Sequence, residues 1–385
     1  MHETHHAPVA VLPAAHHRLL SLDVLRGITI AFMIMVNNNG SGHLAWSFMK
    51  HADWNGMTAT DLVFPTFLFV VGASIVLAFE ARFARGATRG QLAIQVLRRS
   101  GILFLLGLVV NGFPHFPLAT LRIYGVLQRI AICYLLVGLF YLWDRRPMTK
   151  FLVAIAALIG YWALMTHVAV PGFGMPGRDV PLLDRNANLV AWLDRHIFPG
   201  RLYEGVRDPE GLLSDLPALA TTLFGVLAAQ WLRTIHTKMQ KFEGMIGAAA
   251  LSFALGLLWA VWFPLNKKLW TSSYVLAAAG ISAGVWAVLY WAIECKGWRG
   301  RWTWPWVVLG SNAIAAYMIS ELLPGAVGLI PVTVSGKRSD ALRWAFVHFF
   351  SSSGGFGCFL YSTSFLIVCF LPVWWMYRRR IFLKV

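Results

Sequence analysis

The sequence predicts an all-α fold: a polytopic integral membrane bundle of about ten transmembrane helices, with both termini cytoplasmic. Three observations predict it. Hydrophobic residues make up 58% of the 385 positions and charged residues only 13%. Mean hydropathy is +0.61. Apolar windows recur along the whole chain with Arg and Lys between them, and a window of about 20 residues spans a bilayer as one helix.

The elements follow in order. Residues 1–18 hold five histidines and no cleavable signal pattern, and are expected as a disordered tail. Residues 19–385 are expected as a single transmembrane domain. Its spans read as 19–37, 61–81, 97–113, 123–143, 150–169, 213–233, 244–263, 271–293, 304–323 and 357–378. The stretch 341–351 is too short to cross, and adds an eleventh segment only if it re-enters or lies at the interface. The one sizeable polar segment is the loop 170–212, rich in Gly, Pro and Asp.

Charge orients the bundle. The formal net charge is +16. In a soluble protein this would point to nucleic acid. Here the basic residues sit in short loops between apolar runs, so no nucleic-acid partner is expected. Arg82, Arg85, Arg89, Arg98, Arg99, Arg145, Arg146, Lys150, Arg233, Lys238, Lys241, Lys296, Arg299 and Arg301 all fall on one side of the spans. That side reads as cytoplasmic. The loops carrying His51 and residues 170–212 then face the periplasm or a lumen. The four cysteines, Cys133, Cys295, Cys358 and Cys369, form no CxxC pair, so neither a disulfide framework nor a metal site is expected.

Ionisable groups inside spans cost several kcal/mol unless they face protein or water, which makes each a functional candidate. Asp23 and Arg26 are three apart and can pair on one helix face. Asn37 follows Arg26 by about three turns on the same face. Gly40 then suits the left-handed conformation of a C-cap. Asp61 opens the second span, where it can cap a helix N-terminus or orient a histidine ten residues upstream. Gly72 lies on the same face. Arg122, Gly125, Arg129 and Cys133 have helical spacing on the fourth span, with Arg129 facing the interior. Span nine holds Asn312, Tyr317 and Glu321, the last near the outer end where it can snorkel.

The densest polar cluster is "KHADWNG", residues 50–56, at the mouth of the second span. A histidine in a loop is usually only a loop residue. This one, His51, is flanked by Lys50, Asp53, Trp54 and Asn55, and imidazole is the side chain best suited to move protons near neutral pH.

The blocks "LDVLRGITIAFMIMVNN", "KHADWNGMTATDLVFPTFLFVVGASI", "LRIYGVLQRIAICYLLV", "DPEGLLSDLPALATTLFGVLA", "NKKLWTSSYVL", "GSNAIAAYMISE" and "YRRRIFLKV" occur in this order. Together they resemble the heparan-α-glucosaminide N-acetyltransferase family of transmembrane acyltransferases, over nearly the whole chain from residue 19. The resemblance implies acetyl transfer from cytosolic acetyl-CoA, a co-substrate, to an acceptor across the membrane. It implies His51 as the catalytic histidine with Asp61 as its acid. It implies Asn37, Asn266, Lys267 and Trp270 on the acceptor side, with Trp54 and Asn55 shaping the subsite. Arg26, Arg129 and Asn312 are expected toward the donor. Two departures from the human lysosomal member concern the acceptor side. The connection from Asn37 to His51 is longer here, and the large luminal domain and extra span that precede this region there are not expected. Short loops point to a bacterial protein of the cytoplasmic (inner) membrane, with His51 periplasmic and an amino sugar or glycan as acceptor. The bilayer is the other partner, and a homodimer is left open.

The acceptor amine must lose a proton as it attacks the thioester, so either acetyl-His51 forms first or His51 acts as base in a ternary complex. The competing reading is a transporter of a small anion or sugar, which would also bury Arg, Asp and His. It would more often show paired half-repeats with broken helices, and none is evident. A membrane scaffold would leave His51 unexplained. If the charge argument holds, His51→Cys on a background lacking the native cysteines reacts with a membrane-impermeant thiol reagent in intact cells. Labelling only after permeabilisation reverses the topology.

Overall fold

A computed structural model describes residues 19–383 apart from Pro199 and residues 335–336. The expected tail, 1–18, lies outside the described residues. Thirteen α-helices dominate: α1 Leu20–Asn37, α2 Val63–Phe83, α3 Arg89–Gly112, α4 Val126–Trp143, α5 Pro147–His167, α6 Leu189–Ile197, α7 Asp215–Leu232, α8 Lys238–Trp259, α9 Ser272–Tyr290, α10 Trp304–Ser311, α11 Ala313–Gly328, α12 Ala341–Phe349 and α13 Gly354–Arg378. Among the described residues nine helices are long and apolar enough to cross a membrane; α10 and α11, bent by 79° against each other, pass the same test only when taken together. These nine helices and the bent pair fall where the ten spans were expected. The bend was not expected, because "GSNAIAAYM" reads as continuous apolar helix. It falls at Asn312, whose φ of −127° and ψ of 40° leave the helical region.

Several boundaries differ from expectation: α3 starts at Arg89 and α8 at Lys238, so Arg98 and Arg99 lie within α3 and not in a loop. α4 begins after Gly125, whose extended backbone cannot continue a helix. Arg122 therefore lies before the helix and not on a shared face with Arg129 and Cys133. A short antiparallel hairpin, β1 Pro331–Val334 with β2 Lys337–Asp340, precedes α12. α12 packs on this hairpin and against α13 and spans nothing.

α1, α2, α4, α7 and α9 form the buried centre, while α3 and α8 turn most of their surface outward. Lipid tails are as apolar as Leu, so close van der Waals packing rather than water exclusion holds such helices together. α2 against α7 is the clearest case. A Cβ on Gly72 would sit 1.9 Å from the Thr222 carbonyl oxygen, and one on Gly225 would sit 1.9 Å from that of Phe69. The two glycines let the backbones touch. Gly72→Val and Gly225→Val should each cost at least about 1–3 kcal/mol, read as earlier thermal loss of the monodisperse detergent-solubilised protein. Gly101→Ala, in open space on α3, should be tolerated.

Candidate active site

The loop between α1 and α2 is folded around one carboxylate. Asp61 sits in a 3-10 turn, Thr60–Leu62, just ahead of α2. Its Oδ2 accepts the backbone N–H groups of Ala52 (3.1 Å) and Thr58 (2.9 Å) and the Thr58 hydroxyl (3.1 Å). Its Oδ1 faces His51 Nδ1 at 2.7 Å. Asp61 thus holds the loop rather than the N-terminus of its own helix. Tyr274 of α9 donates to the Asp61 backbone oxygen at 2.5 Å.

The pair is asymmetric in burial: the Asp61 side chain is 1% exposed and the His51 side chain 45%. A carboxylate only accepts, so Nδ1 is assigned the proton and Nε2 keeps its lone pair. The arrangement is an imidazole base with a fixed tautomer and an open face.

The remaining expected residues divide into three groups. Asn55 and Asn266 meet: Asn266 Nδ2 donates to Asn55 Oδ1 at 3.1 Å, and Gly56 N donates to the Leu265 oxygen at 2.8 Å. Asn266 is fully buried. Trp54 donates from Nε1 to the Leu183 oxygen at 2.8 Å, with the guanidinium groups of Arg185 and Arg207 over its ring. Arg185 also pairs with Asp53. These contacts clamp the loop 170–212 onto the His51 loop.

The second group is the buried cluster beneath that clamp. Arg129 is fully buried; its Nε donates to Asp215 at 2.9 Å, its Nη2 to the Gly211 oxygen at 2.9 Å and to Ser214. Its guanidinium lies 5.0 Å from the Trp270 ring. Trp270 is also buried, donating to Thr221 at 3.1 Å. Arg122 grips Asp208 with two bonds (2.8 and 2.5 Å) and Glu210 at 2.7 Å, and Lys267 lies 3.9 Å from Glu210. Burial opposes the charge on Glu210, but Lys267 and Arg122 outweigh it and hold its pKa down at about 2. Asp194, on α6, shows the opposite balance: burial raises its pKa to about 7 although Leu212 N–H bonds it. No residue of 208–215 was singled out from sequence. The block "DPEGLLSD" carried the signal, but its acids find their partners some 80 residues away.

The third group lies along a cavity of about 960 Å³. On α2 its lining runs from Phe64 to Ala84, roughly 30 Å at the helical rise and so about the thickness of a hydrocarbon core. Arg233 and Lys241 lie toward the end near Ala84, Arg26 reaches Ser74 midway along that lining and Arg99 lies over Tyr134, in the middle of α4; Met33, Phe64 and Tyr317 line the other end. Phe64 is three residues beyond Asp61. Arg26 bonds Asp23 (3.4 Å), the Gly310 oxygen (3.2 Å) and Ser74 (2.7 Å), as its spacing from Asp23 foretold. Arg129 and Asn312 were expected beside it but do not line the cavity. Arg129 is spent on the loop 209–215. Asn312 holds the C-terminal segment, donating to the Ile381 oxygen and accepting from Leu383 N at 3.0 Å each; Leu383 is the residue that lines the cavity. Asn37 is exposed at the end of α1 and bonds Glu321 at 3.1 Å rather than the histidine.

A bundle of nine long apolar helices and a bent pair, with a histidine–carboxylate pair near one end of a cavity this long, is a multi-pass membrane protein, and the comparisons place it among the acyltransferases. The family model for "Heparan-alpha-glucosaminide N-acetyltransferase, catalytic" matches residues 18–257. The chain is 30% identical to the Homo sapiens heparan-alpha-glucosaminide N-acetyltransferase, over 81% of this chain and 54% of that protein. It is 29% identical to the Mus musculus protein of the same name, over 80% and 54%. The chain belongs to this family, and it spans about half the length of these relatives.

Arg129 is a fully buried cation whose charge partner is Asp215. Arg129→Ala would leave that carboxylate unpaired and should cost about 3–5 kcal/mol. The expected readout is loss of folded protein in a thermal-stability assay. A stable variant with only weakened acetyl-CoA binding would assign Arg129 to the donor instead.

Proposed function

We propose that this chain moves an acetyl group from acetyl-CoA, entering from the cytoplasm, to the amine of an amino sugar or glycan on the opposite side of the membrane. His51 is the general base and Asp61 fixes its tautomer and orientation. The observation that carries this reading is the long cavity: it has basic residues in its lining, and at the end away from Arg233 and Lys241 it is lined by Phe64, three residues past the Asp61 that holds His51.

The chemistry fits each end. The donor's phosphates are anionic, and Arg26, Arg99, Arg233 and Lys241 supply positive charge. Arg99 Nε is buried without a hydrogen-bond partner in the protein, as a group awaiting an anion would be. At the other end His51 Nε2 takes the proton that the acceptor amine sheds as it attacks the thioester carbonyl and returns it to the leaving sulfur; the C–N bond forms, the C–S bond breaks and coenzyme A leaves as the thiol. An imidazolium formed at His51 is stabilised by the Asp61 carboxylate. The names of the relatives support an acetyl donor and an aminoglucosyl acceptor. A transporter would also be served by a cavity crossing the bundle, but would have no need to bind acetyl-CoA.

His51→Ala should lower transfer of radiolabelled acetyl from acetyl-CoA to glucosamine by about 10²–10⁴-fold, with acetyl-CoA binding retained. Asp61→Asn should also slow transfer, since an amide N–H facing Nδ1 favours the wrong tautomer. Arg99→Ala should weaken acetyl-CoA binding instead. Near-normal transfer by His51→Ala would sink the assignment.

A further inference from the structure

Glu321 stands apart from the other acids of the spans. Asp23 pairs with Arg26, Asp61 with His51, Glu80 with Arg145 and Arg233, Asp215 with Arg129, and Glu294 with Arg299. Glu243 is exposed near the start of α8. Glu321 is partly buried in the bent span, and among the described residues no cation pairs with it. Its one described hydrogen bond is donated by Asn37 Nδ2 at 3.1 Å. A carboxylate kept in a membrane span without a described counter-ion is a functional-site candidate, and a cation is the ligand that suits its charge.

Its location says which cation. Met33 of α1 and Tyr317 of α11 line the cavity end that is remote from Arg233 and Lys241. Asn37 and Glu321 each lie four residues further on, one helical turn outward on the same faces. The Asn37–Glu321 pair is therefore the next layer beyond the cavity, at the end where His51 and Asp61 sit. Asn37 holds one carboxylate oxygen, which leaves Oε2 for a ligand. Aliphatic amines are largely protonated at neutral pH, so an amino-sugar acceptor reaches this layer as an ammonium.

We infer that Glu321, oriented by Asn37, is the subsite that binds the acceptor's ammonium group. This rests on the proposed acetyl-transfer reading and adds the acceptor-recognising charge to it. It also gives the resting acceptor a place to dock before His51 acts, and it selects amines over the hydroxyls that a sugar carries in greater number.

The test uses the purified full chain in lipid nanodiscs, with glucosamine as the cationic probe and N-acetylglucosamine as its neutral counterpart. Glu321→Gln preserves shape and removes charge. Its KM for glucosamine should rise roughly 10- to 100-fold, while inhibition by N-acetylglucosamine and affinity for acetyl-CoA change by less than about twofold. Glu321→Asp should recover part of the loss, and serves as the test if Glu321→Gln does not fold. An unchanged glucosamine KM overturns the inference. So does an equal loss of affinity for N-acetylglucosamine, which would mean shape rather than charge. Glucosamine that fails to bind the unsubstituted protein overturns the subsite, whereas failure of acetyl-CoA to bind overturns the proposed function.

Discussion

A charge in hydrocarbon must find a partner, and most of this molecule's special features follow from meeting that demand. The spans carry few ionisable groups, and nearly all of them are paired inside the bundle. The costliest is the pair Arg129–Asp215, buried where α4 meets α7. Removing either member strands the other, which is far worse than never having built the pair. The fold therefore spends much of the segment 208–215 on Arg129: one carboxylate, two backbone oxygens and a hydroxyl converge on it. Trp270 adds its ring face. That convergence fixes the start of α7 and, through it, the floor beneath the His51 loop.

The same logic shapes the surface above. The loop 170–212 is polar and long, yet it is not adrift. It is tied at Trp54, Asp53, Arg122 and Lys268, the last reaching Glu204 at 2.8 Å. Burial works against the Glu204 charge, but Lys268 and Arg207 lower its pKa overall. The ties reach three places: the His51 loop, the segment before α4 and the segment between α8 and α9. The loop is thus held by charge against the connection that carries His51, whose imidazole stays half-exposed.

Much of this was legible in the sequence because spans are local. Twenty apolar residues announce a crossing wherever they fall, so the nine long helices and the bent pair could be placed from pattern alone. The pairing of Asp23 with Arg26 was legible for the same reason, since three residues along a helix is a distance that sequence encodes. The His51–Asp61 pair was readable because both belong to one short connection. What escaped was non-local. Arg129 read as a donor-side residue from its depth in the fourth span and its place in the "GVLQR" block, whereas the acid that holds it lies 86 residues away. Asn312 looked like a polar face of a straight helix, because its partner is the C-terminal segment and the lone Gly310 before the break does not by itself end a helix. Glu321 looked like a snorkelling end group because Asn37 is 284 residues distant. The cavity itself has no sequence signature, since its wall is assembled from six or more helices.

The cavity's polarity also limits how a transfer across it can work. The phosphates of an acyl-CoA cannot enter hydrocarbon without counter-charges, and the cavity supplies these at Arg26, Arg99, Arg233 and Lys241. The lining beyond Arg26 is chiefly apolar, with Phe64, Phe67, Val70 and Met33, so it accepts an uncharged arm and a thioester but refuses the nucleotide. The acceptor faces the converse barrier: a polyhydroxylated sugar would lose its hydration in that wall, and the loop 170–212 offers it polar contacts outside. Neither substrate then needs to cross. On the proposed function only a two-carbon acyl group would cross, beyond the apolar lining, toward His51 and Asp61. On that reading a base half in water and held by a dry carboxylate would pass the amine's proton on to the leaving sulfur, and the thiol would withdraw along the path by which the thioester came.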